Sequence, residues 1–163
     1  MKKQLLLLVT LLGMVGVKAY AHDIEVKNAD GATIYYVWTN YKTELAVSYK
    51  GSTLSLDYYY DFYSGDLIIP EYVEYEGITY PVTSISPFAF CRCKNLKKVN
   101  IPDSITDFGN YAFYGCIGLT SIIIPNNVIS IGNYVFSDCI ELTSITFSNS
   151  LTTIGERAFD NCI

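Results

Sequence analysis

Hydrophobic positions in the second half of the chain recur every 23 residues. Phenylalanine, cysteine, leucine and β-branched residues each return at their own place in this repeat, with polar positions between them. A fixed period of this length is typical of proteins built from stacked structural units. The clearest columns are Phe90, Phe113, Phe136 and Phe159; Cys93, Cys116, Cys139 and Cys162; Leu96, Leu119 and Leu142; and Val99, Ile122 and Ile145.

Within one repeat, the pattern predicts a short strand, a second extended segment and a helical turn. The pattern Leu119-x-x-Ile122-x-Ile124 is that of a short strand with Ile122 and Ile124 on one face. Pro125 ends that strand, Gly132 permits a corner, and residues 133–139 are expected to form one short helical turn. A unit of this size cannot cover its own apolar stripe, so we expect the units to stack into a solenoid.

Residues 22–64 lack the period and predict β-structure of another kind. Two β-rich runs, 32–38 and 45–49, are bounded by turn signals. The first strand of the repeat type is expected at 67–70, where Leu-Ile-Ile-Pro resembles the later Ile-Ile-Ile-Pro at 122–125.

The connection from this first repeat strand to Phe90 is longer than its equivalents in the later repeats. The extra residues fit a β-hairpin with strands at 72–75 and 78–80 around Glu76 and Gly77. Because terminal repeats must cover an open apolar end, they differ from the internal ones. We therefore expect a β-rich N-terminal cap that leads into the solenoid.

The sequence of a single repeat also carries a specific motif. Residues 119–139 read LTSIIIPNNVISIGNYVFSDC. This segment resembles the BspA-like subclass of bacterial leucine-rich-repeat proteins, whose unit is I-P-x-S-V-x-x-I-G-x-x-A-F-x-x-C, and the resemblance covers about residues 65–163. It implies an α+β, β-dominated leucine-rich-repeat solenoid without an enzymatic activity. One departure is the column Ser104, Asn127 and Ser150, which does not form an unbroken asparagine ladder.

The first residues have the pattern of a secretory signal peptide. Lys2 and Lys3 precede an apolar run at 5–17, and Ala19-Tyr20-Ala21 follows as an A-x-A cleavage site. The apolar run is shorter than the ~20 residues that a membrane-spanning helix needs. We therefore expect a secreted or cell-surface protein that has no membrane span after cleavage.

These patterns predict three segments along the chain. Residues 1–21 are the signal peptide, residues 22–82 are the β-rich cap, and residues 83–163 are the solenoid, which stops within its last repeat. Phe159, Cys162 and Ile163 would then occupy buried columns that nothing covers. An open strand edge beside apolar residues favours association, so self-association through this C-terminal edge is a further expectation.

The charge of the chain argues against nucleic acid as a partner. Without Lys2, Lys3 and Lys18 of the signal, eight basic residues remain against 16 acidic ones, a formal charge of −8. A chain this acidic repels phosphate backbones and anionic lipid.

The residues that could carry catalysis or bind a metal are few. The single histidine, His22, would be the mature N-terminus and is not held by packing, so a nucleophilic triad is not expected. Cys91 and Cys93 form an isolated C-x-C pair without further zinc ligands, and no cofactor is expected. The column cysteines lie within disulfide reach of one another, but buried thiols in a column need no bond, so a mostly reduced ladder is the favoured interpretation.

The expected ligand-contact residues lie on the repeat strands. A solenoid exposes an extended concave surface, and the strand positions that alternate with the buried ones face outward. These candidates are Lys98, Asn100, Ser121, Ile123, Ser144 and Thr146.

A second candidate surface is aromatic. Exposed tyrosines are common in binding sites, and the cap contains a dense group of aromatic residues. Strand packing would explain the same residues without a ligand. This alternative patch comprises Tyr58, Tyr59, Tyr60, Phe62 and Tyr63.

Three functions follow as hypotheses. BspA-like proteins resemble surface antigens and adhesins, which implies binding to a protein partner, either a host matrix protein or a bacterial surface protein, through the concave strand face. Glycan binding by the tyrosine-rich cap is one alternative. A vestigial structural fragment of a longer repeat protein, without a ligand, is the other.

Overall fold

Almost all of the regular structure of the chain is extended. The computed structural model describes residues 23–49 and 62–162, in which strands alternate with tight turns and the single helical element is the 3₁₀ turn Asn40–Lys42. Within these ranges, no helix has the length and apolar character needed to cross a bilayer. The strands are β1 (Ile24–Lys27), β2 (Thr33–Thr39), β3 (Glu44–Ser48), β4 (Gly65–Ile68), β5 (Tyr72–Tyr75), β6 (Ile78–Ile85), β7 (Leu96–Asn100), β8 (Asp107–Phe108), β9 (Ser121–Ile123), β10 (Ser130–Ile131), β11 (Ser144–Thr146) and β12 (Thr153–Ile154).

The strands form two sheets that enclose one core. The larger sheet has the order β1-β2-β3-β6-β8-β10-β12, with β5 paired to β6. The smaller sheet has the order β11-β9-β7-β4, and all of its pairings are parallel. The chain passes from one sheet to the other and back, so each repeat contributes one short strand to both.

Parallel pairing in the repeats joins residues that are 23 positions apart. Ser121 pairs with Ser144 in the smaller sheet, and Ile131 pairs with Ile154 in the larger one. Residues of one sequence column therefore lie side by side along a sheet. The apolar columns face the space between the sheets, where Phe136 is completely buried.

The turns between the sheets are also joined from repeat to repeat. The amide of Phe90 donates to the carbonyl of Ala112 at 2.7 Å, and the amide of Phe136 donates to the carbonyl of Ala158 at 2.8 Å. Such bonds satisfy backbone groups that a turn would otherwise leave unpaired in the interior. The turns consequently connect successive repeats through hydrogen bonds, in addition to the two sheets.

The helical turn expected at 133–139 is wrong, and with it the α part of the predicted fold class. These residues form hydrogen-bonded turns in which Tyr134 has a φ of 56° and Asp138 a φ of 60°. A right-handed helix requires negative φ at every residue, so two left-handed residues exclude it. The repeats are β-strands joined by turns.

Gly132 is required for a reason other than the corner that the sequence suggested. Its φ is not in the left-handed region. A Cβ atom at this position would lie 2.7 Å from Oδ1 of Asn110 and 3.0 Å from the carbonyl oxygen of Phe108. The absence of a side chain thus allows the neighbouring repeat to approach, and Asn110 uses this space to accept a hydrogen bond from the amide of Asn133 at 2.8 Å.

The hairpin predicted between Pro70 and Phe90 is confirmed. β5 and β6 pair antiparallel, with Tyr75 opposite Ile78, and the two linking residues are Glu76 and Gly77. β6 then continues beside β3 and β8 in the larger sheet. One strand therefore crosses position 82, where the sequence placed the end of the cap, and the core continues across it.

The last described repeat exposes side chains that are buried earlier in the chain. Ile154 is 51% exposed and Phe147 is 47% exposed, whereas Ile131 and Ile124, which occupy the same columns one repeat earlier, are buried. Ile163 lies outside the described residues. Self-association through this edge stays a prediction.

Candidate functional site

The smaller sheet has one buried face and one exposed face. Leu67, Val99 and Ile122 are buried beneath it, in β4, β7 and β9. Because successive side chains of a strand point to opposite sides, the residues between them point outward. We call this exposed side the outer face. It carries Asp66, Ile68, Lys98, Asn100, Ser121, Ile123, Ser144 and Thr146.

Strand pairing arranges the outer face in two rows. In the first row, Lys98 pairs with Ser121, and Ser121 pairs with Ser144. The second row continues from Ile123 to Thr146. Neighbouring strands are about 4.8 Å apart, so each row is a continuous line of side chains. All six contact residues predicted from the sequence are brought together on this surface.

The outer face extends further than the sequence predicted. Asp66 pairs with Lys98, and Ile68 pairs with Asn100, which adds one strand to each row. The resemblance of residues 67–70 to the later repeat strands was the signal that could have found both. It was obscured because the hairpin lengthens the connection between β4 and β7, so the spacing there is not 23 residues.

The chemistry of the outer face suits recognition of another molecule. Two isoleucines are unusually accessible, with Ile123 65% exposed and Ile68 43% exposed. Serine, threonine and asparagine supply hydrogen-bond donors and acceptors between them, and Lys98 and Asp66 add one charge of each sign. Apolar contacts within a polar surround are characteristic of protein interfaces.

A second ordered surface runs along the turns that follow the strands of the larger sheet. Phe88 stacks on Tyr111 with ring centroids 5.0 Å apart, and Tyr111 stacks on Tyr134 at 4.9 Å. The guanidinium of Arg157 lies 6.0 Å from the centre of the Tyr134 ring. These four residues again stand 23 positions apart, which is the signal that sequence reasoning overlooked.

This aromatic column is a structural device. All four of its residues have positive φ, from 50° at Arg157 to 62° at Phe88, a conformation that costs about 1–2 kcal/mol in a residue with a side chain. Stacked rings contribute about 0.5–1.5 kcal/mol for each pair beyond their area, which offsets part of that cost. Because the ring faces contact one another, they are not free to stack on a sugar.

One residue of the alternative aromatic patch, Tyr63, is not on the surface. Tyr63 is buried. Its hydroxyl donates a hydrogen bond to the carbonyl of Ser48 at 2.7 Å and accepts one from the amide of Tyr35 at 3.1 Å. Burial raises the pKa of this phenol well above its usual value. Tyr63 is therefore a core residue, because its apolar ring and its satisfied hydroxyl both belong inside. Phe62 is half-buried against the core, and residues 58–60 lie outside the described residues.

The column cysteines form a ladder of free thiols. Cys116 donates from Sγ to the carbonyl of Phe90 at 3.0 Å, and Cys139 donates to the carbonyl of Phe113 at 3.1 Å. Cys162 continues the pattern one repeat later. None of the five cysteines forms a disulfide, and Cys91, outside the column, is half-buried.

Burial keeps two thiols of the ladder protonated. It raises the pKa of Cys116 well above its usual value and that of Cys162 to about 11. A thiol that stays protonated is a poor nucleophile and a poor metal ligand. In the ranges that the structure describes, no three His, Cys, Asp or Glu side chains are close enough to hold a metal ion.

The chain resembles solved leucine-rich-repeat proteins. One from Bacteroides ovatus is 32% identical, with a TM-score of 0.69, over 79% of this chain and 32% of its own. A leucine-rich cell surface protein from Faecalibacterium prausnitzii is 27% identical, with a TM-score of 0.64, over 85% of this chain and 34% of its own. The leucine-rich-repeat protein of Treponema pallidum is 22% identical, with a TM-score of 0.57, over 79% and 64% of the two chains, and shares the fold.

The chain spans about a third of the length of the first two of these proteins. A comparison with curated protein sequences finds no match. The profile of the BspA type leucine-rich-repeat region matches six copies over residues 71–163, which is more than half of the chain. The parallel strands that each repeat adds to both sheets agree with this profile: the chain belongs to the BspA-type leucine-rich-repeat family.

Proposed function

We propose that this chain is an exported binding module whose outer face receives a protein partner. The repeats stack with a period of 23 into a solenoid, residues 22–82 cap its first repeat, and catalysis plays no part. The observation that carries the proposal is the pair of exposed side-chain rows on four parallel strands. The side chains beneath three of these strands, Leu67, Val99 and Ile122, are buried in the core, and Ile145 beneath the fourth is half-buried, so the rows rest on packed side chains.

The proposal fits the family and its solved relatives. One of the relatives is described as a cell surface protein, and the A-x-A site at Ala19 and Ala21 suits export of this chain. Intact-mass measurement of the protein recovered outside the cytoplasm tests this step. A mature chain that begins at His22 is expected, and a mass that retains Lys2 and Lys3 would contradict export by signal cleavage.

Binding is tested by a substitution on the outer face with a matched control. The mature chain is first used to capture partners from immobilised host matrix proteins and from bacterial surface extracts. The variant Asn100→Arg, Ile123→Glu, Thr146→Arg should then abolish capture, because charged side chains cover both the apolar and the polar contacts. Circular dichroism establishes that the variant is folded.

The control makes the same three replacements away from the outer face. Asn126, Ile129 and Thr152 are exposed residues of the same types, so Asn126→Arg, Ile129→Glu, Thr152→Arg changes the charge by the same amount. Capture should survive in this control. Equal capture by both variants would move the site elsewhere, and a wild-type chain that captures nothing would favour a structural fragment without a ligand.

A further inference from the structure

Basic side chains are concentrated at one place in this acidic protein. The described residues contain seven lysines and arginines, and four of them lie within residues 92–98. From Glu76 to Asp103 the sequence contains no other acidic residue. Basic residues are therefore concentrated along this part of the sequence, in a chain whose formal charge is −5.

Three of these four residues form an exposed group in β7 and the turn before it. Lys98 lies in the first row of the outer face, and Lys94 is exposed two residues before β7. Lys97 lies between them at a β-bulge, because Gly65 pairs with Leu96 while the next residue pairs with Lys98. Bulges redirect a side chain that a regular strand would place elsewhere. We call Lys94, Lys97 and Lys98 the lysine cluster.

The positive charge of the lysine cluster is poorly neutralised within the described part of the chain. The Lys97 ammonium lies 3.9 Å from the Glu141 carboxylate, and both side chains are 55% exposed. An exposed pair at this distance contributes little. Asp66 is the strand neighbour of Lys98, but neither Lys94 nor Lys98 forms an ion pair with another described residue. By contrast, the fourth basic residue, Arg92, lies over the ring of Tyr114 at 5.8 Å.

Apolar side chains continue the surface beyond the lysine cluster. Ile117 and Ile140 follow Lys94 at intervals of 23 residues and are 36% and 45% exposed. Ile123 adds a third exposed isoleucine on the outer face. A ligand that covers this area must supply carboxylate or other anionic groups for the lysines and apolar groups for the isoleucines.

We propose that the lysine cluster receives an acidic segment of the protein partner, with apolar side chains of that segment on the neighbouring isoleucines. This inference deepens the proposed function and rests on it. Sulfated glycans offer anionic groups but no apolar side chains for the exposed isoleucines Ile117, Ile123 and Ile140. The composition of the surface therefore favours an acidic peptide.

The test uses a synthetic peptide of glutamate and leucine as the probe. A peptide with glutamine in place of glutamate shows whether charge is required, and a heparin fragment represents a sulfated glycan. Binding to the mature chain is measured at low and at physiological ionic strength. Carbodiimide cross-linking followed by mass spectrometry then locates the lysines that contact the glutamates. We expect cross-links at Lys94, Lys97 and Lys98.

Two double variants carry the same change of net charge. Lys94→Glu, Lys98→Glu reverses the lysine cluster, and Lys27→Glu, Lys42→Glu reverses two exposed lysines elsewhere. At physiological ionic strength, where screening limits charge interactions to about 8 Å, the first should weaken binding of the glutamate peptide by about tenfold or more, and the second by less than about twofold. Equal losses in both variants, or cross-links spread over Lys27 and Lys42, would overturn the inference.

The outcomes separate this inference from the proposed function. Heparin binding that depends on the lysine cluster, with no binding of the glutamate peptide, would overturn the acidic-peptide assignment in favour of a glycan. If the glutamate peptide is insensitive to the lysines while outer-face substitutions still abolish partner capture, the inference fails and the proposed function stands. If capture survives those substitutions but the peptide still requires the lysines, the proposed function fails instead.

Discussion

Single aromatic rings connect one repeat to the next through the core. The Phe90 and Phe113 rings stack with centroids 4.8 Å apart, and Phe136 stacks on Phe113 at 5.3 Å and on Phe159 at 5.4 Å. The first three are completely buried, while Phe159 is half-buried. A ring in the middle of this column therefore contacts two neighbours of its own kind and loses both when it is removed.

Truncation of a central ring should be far more damaging than truncation of an outward hydroxyl. Phe136→Ala is expected to lower the free energy of unfolding by about 3–5 kcal/mol, the usual cost of deleting a buried ring. Ser121→Ala, on the outer face, should stay within about 0.5 kcal/mol of the wild type. Urea unfolding measures both. Phe159→Ala should fall between them, and equal effects for Phe136 and Ser121 would show that the buried and exposed columns are assigned wrongly.

The spacing of single residues predicted the interior better than the surface. Phe136, Cys139 and their columns could be found from the sequence because a buried column tolerates few residue types. The location of Tyr63 could not, because a tyrosine is compatible with a core or with a surface and its hydrogen bond to Ser48 joins distant parts of the chain. The stacked column that contains Tyr111 was missed for the same reason, since tyrosine and phenylalanine spaced in this way do not reveal their contacts.

The hairpin of β5 and β6 shows how a turn determines an element. Its two linking residues both have positive φ, 53° at Glu76 and 80° at Gly77. Two left-handed residues between antiparallel strands make a type I′ turn, which matches the twist of the strands. Glycine suits the second position, but glutamate is a poor choice for the first, where asparagine is preferred.

Substitutions in this turn should change stability in opposite directions. Gly77→Ala places a Cβ atom on a left-handed residue and should destabilise the fold by about 1–2 kcal/mol. Glu76→Asn should stabilise it by a few tenths to about 1 kcal/mol, because asparagine adopts positive φ more readily. Glu76→Ala controls for loss of the carboxylate. Urea unfolding that ranks Gly77→Ala above Glu76→Asn in stability would contradict a type I′ turn.

Secondary-structure elements were predicted correctly where the side-chain period was clear. The helical turn was predicted wrongly because backbone conformation, which the side-chain pattern does not reveal, determines the structure there. The hairpin and the β-rich runs before it were found because alternation and turn residues agree. The helical turn at 133–139 was wrong because apolar residues at short spacing suit both a helix and a compact turn. The left-handed conformation of Tyr134 cannot be inferred from a residue type that usually avoids it.

At the scale of the whole molecule, the described residues share one continuous core. The larger sheet runs from β1 to β12. Within it, β6 pairs with β3, which precedes position 82 in the sequence, and with β8, which follows it. The rings of Trp38 and Tyr80 meet at 4.7 Å near the beginning of this sheet. Cys139 is completely buried near its end. Trp38 and Cys139 can therefore report on the two ends of the sheet separately.

Both ends should unfold together. The fluorescence of Trp38, the single tryptophan of the chain, reports the first strands, and alkylation of Cys139 reports the later repeats. We expect the two probes to give the same midpoint in urea, because coincident transitions are the mark of one cooperative unit. A separate, earlier midpoint for either probe would divide the chain into two independently folded parts. That result would support an autonomous cap at residues 22–82.

In the thiol ladder, the S–H groups serve as hydrogen-bond donors to the backbone, and this role disfavours their oxidation. Each S–H reaches the carbonyl of a phenylalanine in the preceding repeat, and a disulfide between neighbouring cysteines would remove two such donors. Oxidants and alkylating reagents act on the thiolate, which burial suppresses at Cys116. Chemical modification of these cysteines should therefore require transient opening of the repeats. The rate of modification then measures how often the repeats open in the native state.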